Sequence, residues 1–120
     1  MTPKALRILR TSLGLSQSDL AGRFEVTPRT VRRWEQEGSE YNPPVAVQER
    51  LQAQWGLYAD RVAETLEIAR ERGTVQLLTY TDEVECITDT GLTLSEYDAL
   101  LGHMAMALTC AHLDYSLREH

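Results

Sequence analysis

The chain has 120 residues, 42% of them hydrophobic, which suffices for one ordinary domain or a small domain with an appendage. No apolar run approaches the roughly 20 residues needed to cross a bilayer. The opening MTPKALRILR lacks the apolar core and cleavage site of a secretion signal, so a cytoplasmic chain with no membrane contact is expected. The formal net charge of −6 argues against a polyanionic partner only if it is evenly spread. Residues 1–38 carry seven basic and four acidic side chains, whereas residues 39–120 carry five and fourteen. A polyanion can therefore be accommodated at the N-terminal end alone.

In chain order, the first helix is predicted over Pro3 to Leu13. Leu6, Leu9 and Leu13 recur at helical spacing, Pro3 suits the first turn, and Gly14 follows as a helix stop. Ser16 reads as the N-cap of a short second helix, Gln17 to Phe24, with Asp19 three residues on completing a near-capping box. After the break Glu25-Val26-Thr27, Thr27 caps a third helix and Pro28 opens it. That helix is expected to run to about Gln36 before Gly38. Two short helices joined by a tight turn make a helix-turn-helix. Leu20, Ala21, Val26, Val31 and Trp34 are the inward set, closing a core with Leu6 and Leu9, with Leu15 at its edge. The outer face of the third helix is left with Arg29, Thr30, Arg32 and Arg33.

Asn42, Pro43 and Pro44 break the chain in a linker over residues 39–45. A long helix follows from Val45 to Arg72, closed by Gly73, with Val47, Leu51, Trp55, Tyr58, Val62, Leu66 and Ala69 as its apolar stripe. The β-branched and aromatic run Thr74 to Tyr80 predicts a strand. Thr81 is the expected cap of a short helix from Asp82 to Thr88. Ser95, with Asp98 three residues on, is the expected cap of a last helix reaching Leu117. One strand cannot form a sheet. Its partner is either a second strand in the chain or another copy of the chain, and the latter makes the C-terminal half a dimerisation unit. The fold class expected is mainly α: a helix-turn-helix domain over residues 1–42, then a helical dimerisation region over 43–120 with one strand near 75–80.

The segment LRILRTSLGLSQSDLAGRFEVTPRTVRRWEQEG resembles the Cro/C1-type (XRE) helix-turn-helix family. The matching words are Arg10, Gly14-Leu15-Ser16 with Gln17, Leu20-Ala21, Val26-Thr27, Thr30-Val31 and Trp34-Glu35. Glu25 departs from the pattern, because the family usually has glycine at that turn, where φ is positive. The layout beyond is similar to that of the anti-CRISPR-associated regulators, which join such a domain to a long helix, a short strand resembling LLTY and a dimerising C-terminal helix. The resemblance implies a transcription regulator that binds double-stranded DNA as a homodimer, its third helix in the major groove.

Pro28, Arg29, Thr30 and Arg33 are the candidate base-contacting residues. Arg29 and Arg33 offer planar forks suited to guanine, and Thr30 and Pro28 offer apolar contact to a thymine methyl. Gln17, Thr27, Arg32, Lys4, Arg23 and Asn42 are candidates for the DNA backbone, with Arg32 also open to a base contact. The resemblance implies an ion pair between Arg10 and Glu35, the alternative being Arg10 on a phosphate. Leu77, Tyr80, Leu101, Met104 and Leu108 are expected at the contact between copies.

His103, Cys110 and His112, with Cys86 elsewhere, lack a zinc spacing, and the two cysteines are expected as reduced thiols. No metal and no cofactor are expected. No nucleophile, base and orienting group come together, so no enzyme is expected. The reading is a repressor on an inverted-repeat operator, in the manner of an anti-CRISPR-associated autorepressor. The alternatives are the antitoxin of a toxin–antitoxin pair, which would bind its own promoter and a protein toxin, and an adaptor that holds another protein.

Overall fold

The computed structural model describes residues 1–120. The elements in order are α1 (Pro3–Ser12), α2 (Gln17–Arg23), α3 (Pro28–Trp34), α4 (Val45–Arg72), β1 (Thr74–Thr79), α5 (Glu83–Thr90), α6 (Leu94–Cys110) and β2 (Asp114–Glu119). The chain divides into two compact units, Met1–Gly56 and Leu57–His120. The division falls inside α4 rather than at residues 42/43. Val47 and Leu51 are buried, and this makes the first turns of α4 part of the first unit. No helix is long and apolar enough to cross a membrane.

The first unit is built by its caps. The Thr2 hydroxyl accepts from the Ala5 amide to start α1. Ser16 and Asp19 form a reciprocal capping box at α2, and the Thr27 hydroxyl accepts from Thr30 N at α3, with Pro28 in the first turn. At the C-termini of α1 and α2 the chain reverses in the same way. Leu15 N donates to Arg10 O and Val26 N to Ala21 O, each across a residue of positive φ, Gly14 at 83° and Glu25 at 54°. Each reversal returns an apolar residue toward the core. Leu6, Leu13, Leu15, Leu20, Ala21, Val31 and Trp34 are buried there, and Leu15 sits inside it rather than at its edge. α3 ends at Trp34, two residues before the sequence-based boundary.

The second unit is organised around Ala69, Leu77, Leu101 and Leu108, with Leu66, Val75, Tyr97, Met104 and Leu113 packed against them. Three sequence-based expectations are corrected here. First, α5 is capped by Asp82, which accepts from Glu85 N at 2.8 Å, and not by Thr81. Second, α6 is capped by Thr93 in a capping box with Glu96 rather than by Ser95 with Asp98. Third, the last helix stops at Cys110, and residues 114–119 are a strand. β2 pairs in parallel with β1, from Thr74↔Asp114 to Thr79↔Glu119. The missing partner of β1 is thus in the same chain, and the layout ends in a strand where the resemblance implied a helix. The turn between them matches the end of α1: Leu113 N donates to Leu108 O across His112, whose φ is 57°.

The expected dimer-contact residues are corrected as well. Leu77, Tyr80, Leu101 and Leu108 are buried by their own chain, and Met104 packs against the same core. The four buried side chains have little apolar surface left to give to a second copy, whereas Met104 stays half-buried. Trp55, in the expected apolar stripe of α4, is exposed.

Candidate nucleic-acid interface

The helix-turn-helix presents one face of α3. Val31 and Trp34 anchor the helix from below, both at most 5% exposed, while Pro28, Arg29 and Arg32 are exposed and Thr30 and Arg33 half-buried. The spacing decides this. Residues 31 and 34 lie three apart on the buried side, so 29, 32 and 33 fall on the opposite arc. Thr30 is drawn back to the cap, its hydroxyl 3.1 Å from that of Thr27.

Arg33 does not extend free into solvent. Its guanidinium carbon lies 4.8 Å from the centroid of the Tyr41 ring. Stacking on an aromatic face limits the rotamers of a long side chain and leaves the edge of the guanidinium fork, which carries its donors, open to a ligand. Tyr41 was not among the sequence-derived candidates. An aromatic residue eight positions after an arginine, in a Pro-containing linker, carries no local signal of that contact.

Beneath this face lies the scaffold that fixes the angle of α3. Arg10 Nε donates to Glu35 Oε2 at 2.5 Å and Nη2 to Glu35 Oε1 at 2.9 Å, while Nη1 donates to the Leu15 carbonyl at 2.8 Å. The Arg10 and Glu35 side chains are 9% and 4% exposed. This fork-to-fork pair ties α1 to the end of α3. Three of the five Arg10 N–H donors are held inside the domain, which favours the structural pair over a phosphate contact.

Gln17 is also occupied: its side-chain nitrogen donates to Glu35 Oε1 at 3.3 Å. Of the other backbone candidates, Thr27, Arg32, Lys4 and Asn42 are exposed and Arg23 is half-buried. Arg32 lines a shallow concavity together with Arg7, Ser16, Gln17 and Gln36. Arg7, exposed on α1, lies beside Lys4 along a second depression that also includes Ile8, Thr11, Glu35 and Glu37. Arg7 is a basic residue outside the sequence-based candidates. Only folding brings it alongside Gln17 and Arg32, because it lies more than 20 positions from α3.

The arrangement pairs the one buried cation with a buried carboxylate and leaves Arg7, Arg29, Arg32 and Lys4 at the surface of the same unit. Such a surface places cations and exposed hydrogen-bond donors on one side of the unit, the chemistry that phosphates and base edges require. Residues 6–48 match the family model described as Helix-turn-helix. The segment is a Cro/C1-type helix-turn-helix. The XRE-type domain accounts for Glu25 as well. The αL backbone that the family reserves for glycine is present here, occupied by a residue that carries a Cβ. No curated protein matches the chain. An XRE helix-turn-helix makes this a DNA-binding transcription regulator.

Proposed function

We propose that the protein is a homodimeric repressor that binds an inverted repeat, each α3 lying in the major groove of one half-site, with half-site centres about 34 Å apart. The observation that carries this reading is the rigid face of α3. Arg29, Arg32 and Arg33 surround Pro28 and Thr30 on a helix locked from below by Val31, Trp34 and the Arg10–Glu35 pair. Pro28, Arg29, Thr30 and Arg33 read bases. Thr27, Arg32, Lys4, Arg23, Asn42 and the start of α2 at Gln17 hold the sugar-phosphate backbone, joined by Arg7. A body of this kind on a promoter excludes polymerase without further chemistry. The acidic balance of residues 39–120 disfavours a second, non-specific contact with DNA.

The test is selection of random duplex DNA by the purified protein, followed by affinity measurement on the enriched site. An inverted repeat with guanine in each half-site is expected. Arg33→Ala should weaken binding by about 1–3 kcal/mol and relax one base preference, whereas Arg7→Ala should weaken binding to all sequences alike and reduce the salt dependence. No enrichment from a folded protein, or an unchanged site with Arg33→Ala, defeats the reading.

A further inference from the structure

The second unit leaves one surface unfinished. A two-stranded sheet has too little surface to stand alone, and parallel strands are normally covered on both faces. Here β2 is exposed along its whole length. Tyr115 and Leu117 pair with Val75 and Leu77, so they share the sheet face that looks into the core. Leu77 is 4% exposed, yet Leu117 beside it is 64% exposed and Tyr115 39%. The apolar core face thus runs one strand beyond its cover.

The open edge has a definite polarity. His120 N donates to Thr79 O. By the alternation of a parallel ladder, the even-numbered residues of β2 turn their backbone groups to β1. Tyr115, Leu117 and Glu119 therefore turn their N–H and C=O groups to the unpaired edge.

We infer that this edge pairs antiparallel with β2 of a second copy, about a two-fold axis at Ser116, giving a four-stranded sheet ordered β1-β2-β2-β1. The inference rests on the homodimeric reading above and names its interface. The register follows from the sequence DYSLR. With Ser116 opposite its copy, Asp114 faces the partner copy's arginine 118 and Tyr115 faces its leucine 117, each pair formed twice. Opposite charges meet on the outer face, and an aromatic–aliphatic pair closes the inner face over the exposed Leu117. Tyr115 and Leu117 then form the hydrogen-bonded pairs, which matches the direction of their backbone groups. Ser116 falls at a non-hydrogen-bonded position, with its Cα about 4.5 Å from its copy. Moving the axis to Leu117 sets Tyr115 against glutamate 119 and loses the Asp114–arginine pairing. Moving it to Tyr115 sets Asp114 against serine 116.

The test uses the full-length chain with Cys110→Ser, which removes the exposed thiol and leaves buried Cys86. Ser116→Cys should cross-link two copies under copper–phenanthroline oxidation, because its Cα separation falls in the disulfide range. Asp114→Cys should not, since its two copies lie about 14 Å apart along the strands. In parallel, Asp114→Arg or Arg118→Asp should raise the dimer dissociation constant at least roughly tenfold by sedimentation. The double variant should return to within about threefold of the parent. A dimeric parent with no Ser116→Cys cross-link and no rescue overturns the proposed edge while the homodimer stands. A parent that stays monomeric at about 100 μM, with and without operator, overturns the edge and the homodimer together.

Discussion

Arg10 and Glu35 form a pair in which each removes the other's reason for being solvated, and breaking it from one side should cost far more than removing it whole. Arg10→Met leaves the Glu35 carboxylate, 4% exposed, with the Gln17 amide as its remaining side-chain partner, and it bares the Leu15 carbonyl. A buried pair broken on one side costs about 3–5 kcal/mol, and a bared buried acceptor about 1–3. Partial escape of the carboxylate to solvent limits the sum, so about 3–5 kcal/mol is expected. That is a large share of the 5–15 kcal/mol typical of a whole domain. The double variant Arg10→Met/Glu35→Leu removes both charges, leaving mainly the Leu15 carbonyl, and should cost about 1–2 kcal/mol. Urea unfolding followed by tryptophan fluorescence reads this directly in a Trp55→Phe background, because Trp34 is then the only tryptophan and lies in the core of the same unit. Two results refute the reasoning: a loss below 1 kcal/mol for Arg10→Met, or a double variant as unstable as the sum of the singles. Unchanged stability with weakened DNA binding would return Arg10 to a phosphate.

Glu25→Gly should stabilise the first unit by up to about 1 kcal/mol, since φ of 54° costs a residue with a Cβ more than it costs glycine; destabilisation in the same urea assay would show that Glu25 is not strained. Burial pushes the Tyr97 hydroxyl above its ordinary value near 10, and the group donates to the Leu78 carbonyl at 2.6 Å. An acid whose pKa is higher folded than unfolded stabilises fully below the unfolded value and loses that contribution as pH rises through the folded one. The parent should therefore lose stability above about pH 10, and Tyr97→Phe should flatten that loss in thermal melts between pH 9 and 12; identical slopes would refute it. Burial likewise raises the Cys86 thiol, so at pH 8 iodoacetamide should modify exposed Cys110 well before Cys86, as read by mass spectrometry; equal rates would contradict the packing.

The sequence by itself determined the DNA-facing domain. The signals that set α1, α2 and α3 are local: a hydroxyl cap, a proline in the first turn, and apolar spacings of three and four residues, each acting within one or two turns of helix. The exposed arginine face follows from them, because fixing Val31 and Trp34 inward fixes Arg29, Arg32 and Arg33 outward. The positive-φ turn at Glu25 was also legible, through the family pattern, where no glycine announced it.

The C-terminal end shows the limit of that legibility. α1 and α6 stop by the same 6→1 hydrogen bond, but α1 carries Gly14 at the reversal and α6 carries His112, so only one of the two stops was visible. Without a stop, Leu108, Ala111 and Leu113 continue a helical pattern, and DYSLRE is too short to declare itself a strand. β2 is a strand because folding brings it alongside β1, 40 residues away, and that pairing is a property of tertiary structure. The same distance explains the dimer residues. Apolar spacing shows that Leu77, Leu101 and Leu108 must be covered, but only the folded chain shows that they cover one another. Tyr41 beneath Arg33 and Arg7 beside Gln17 and Arg32 were decided in the same way, by contacts between residues whose local sequence carries no trace of the partner.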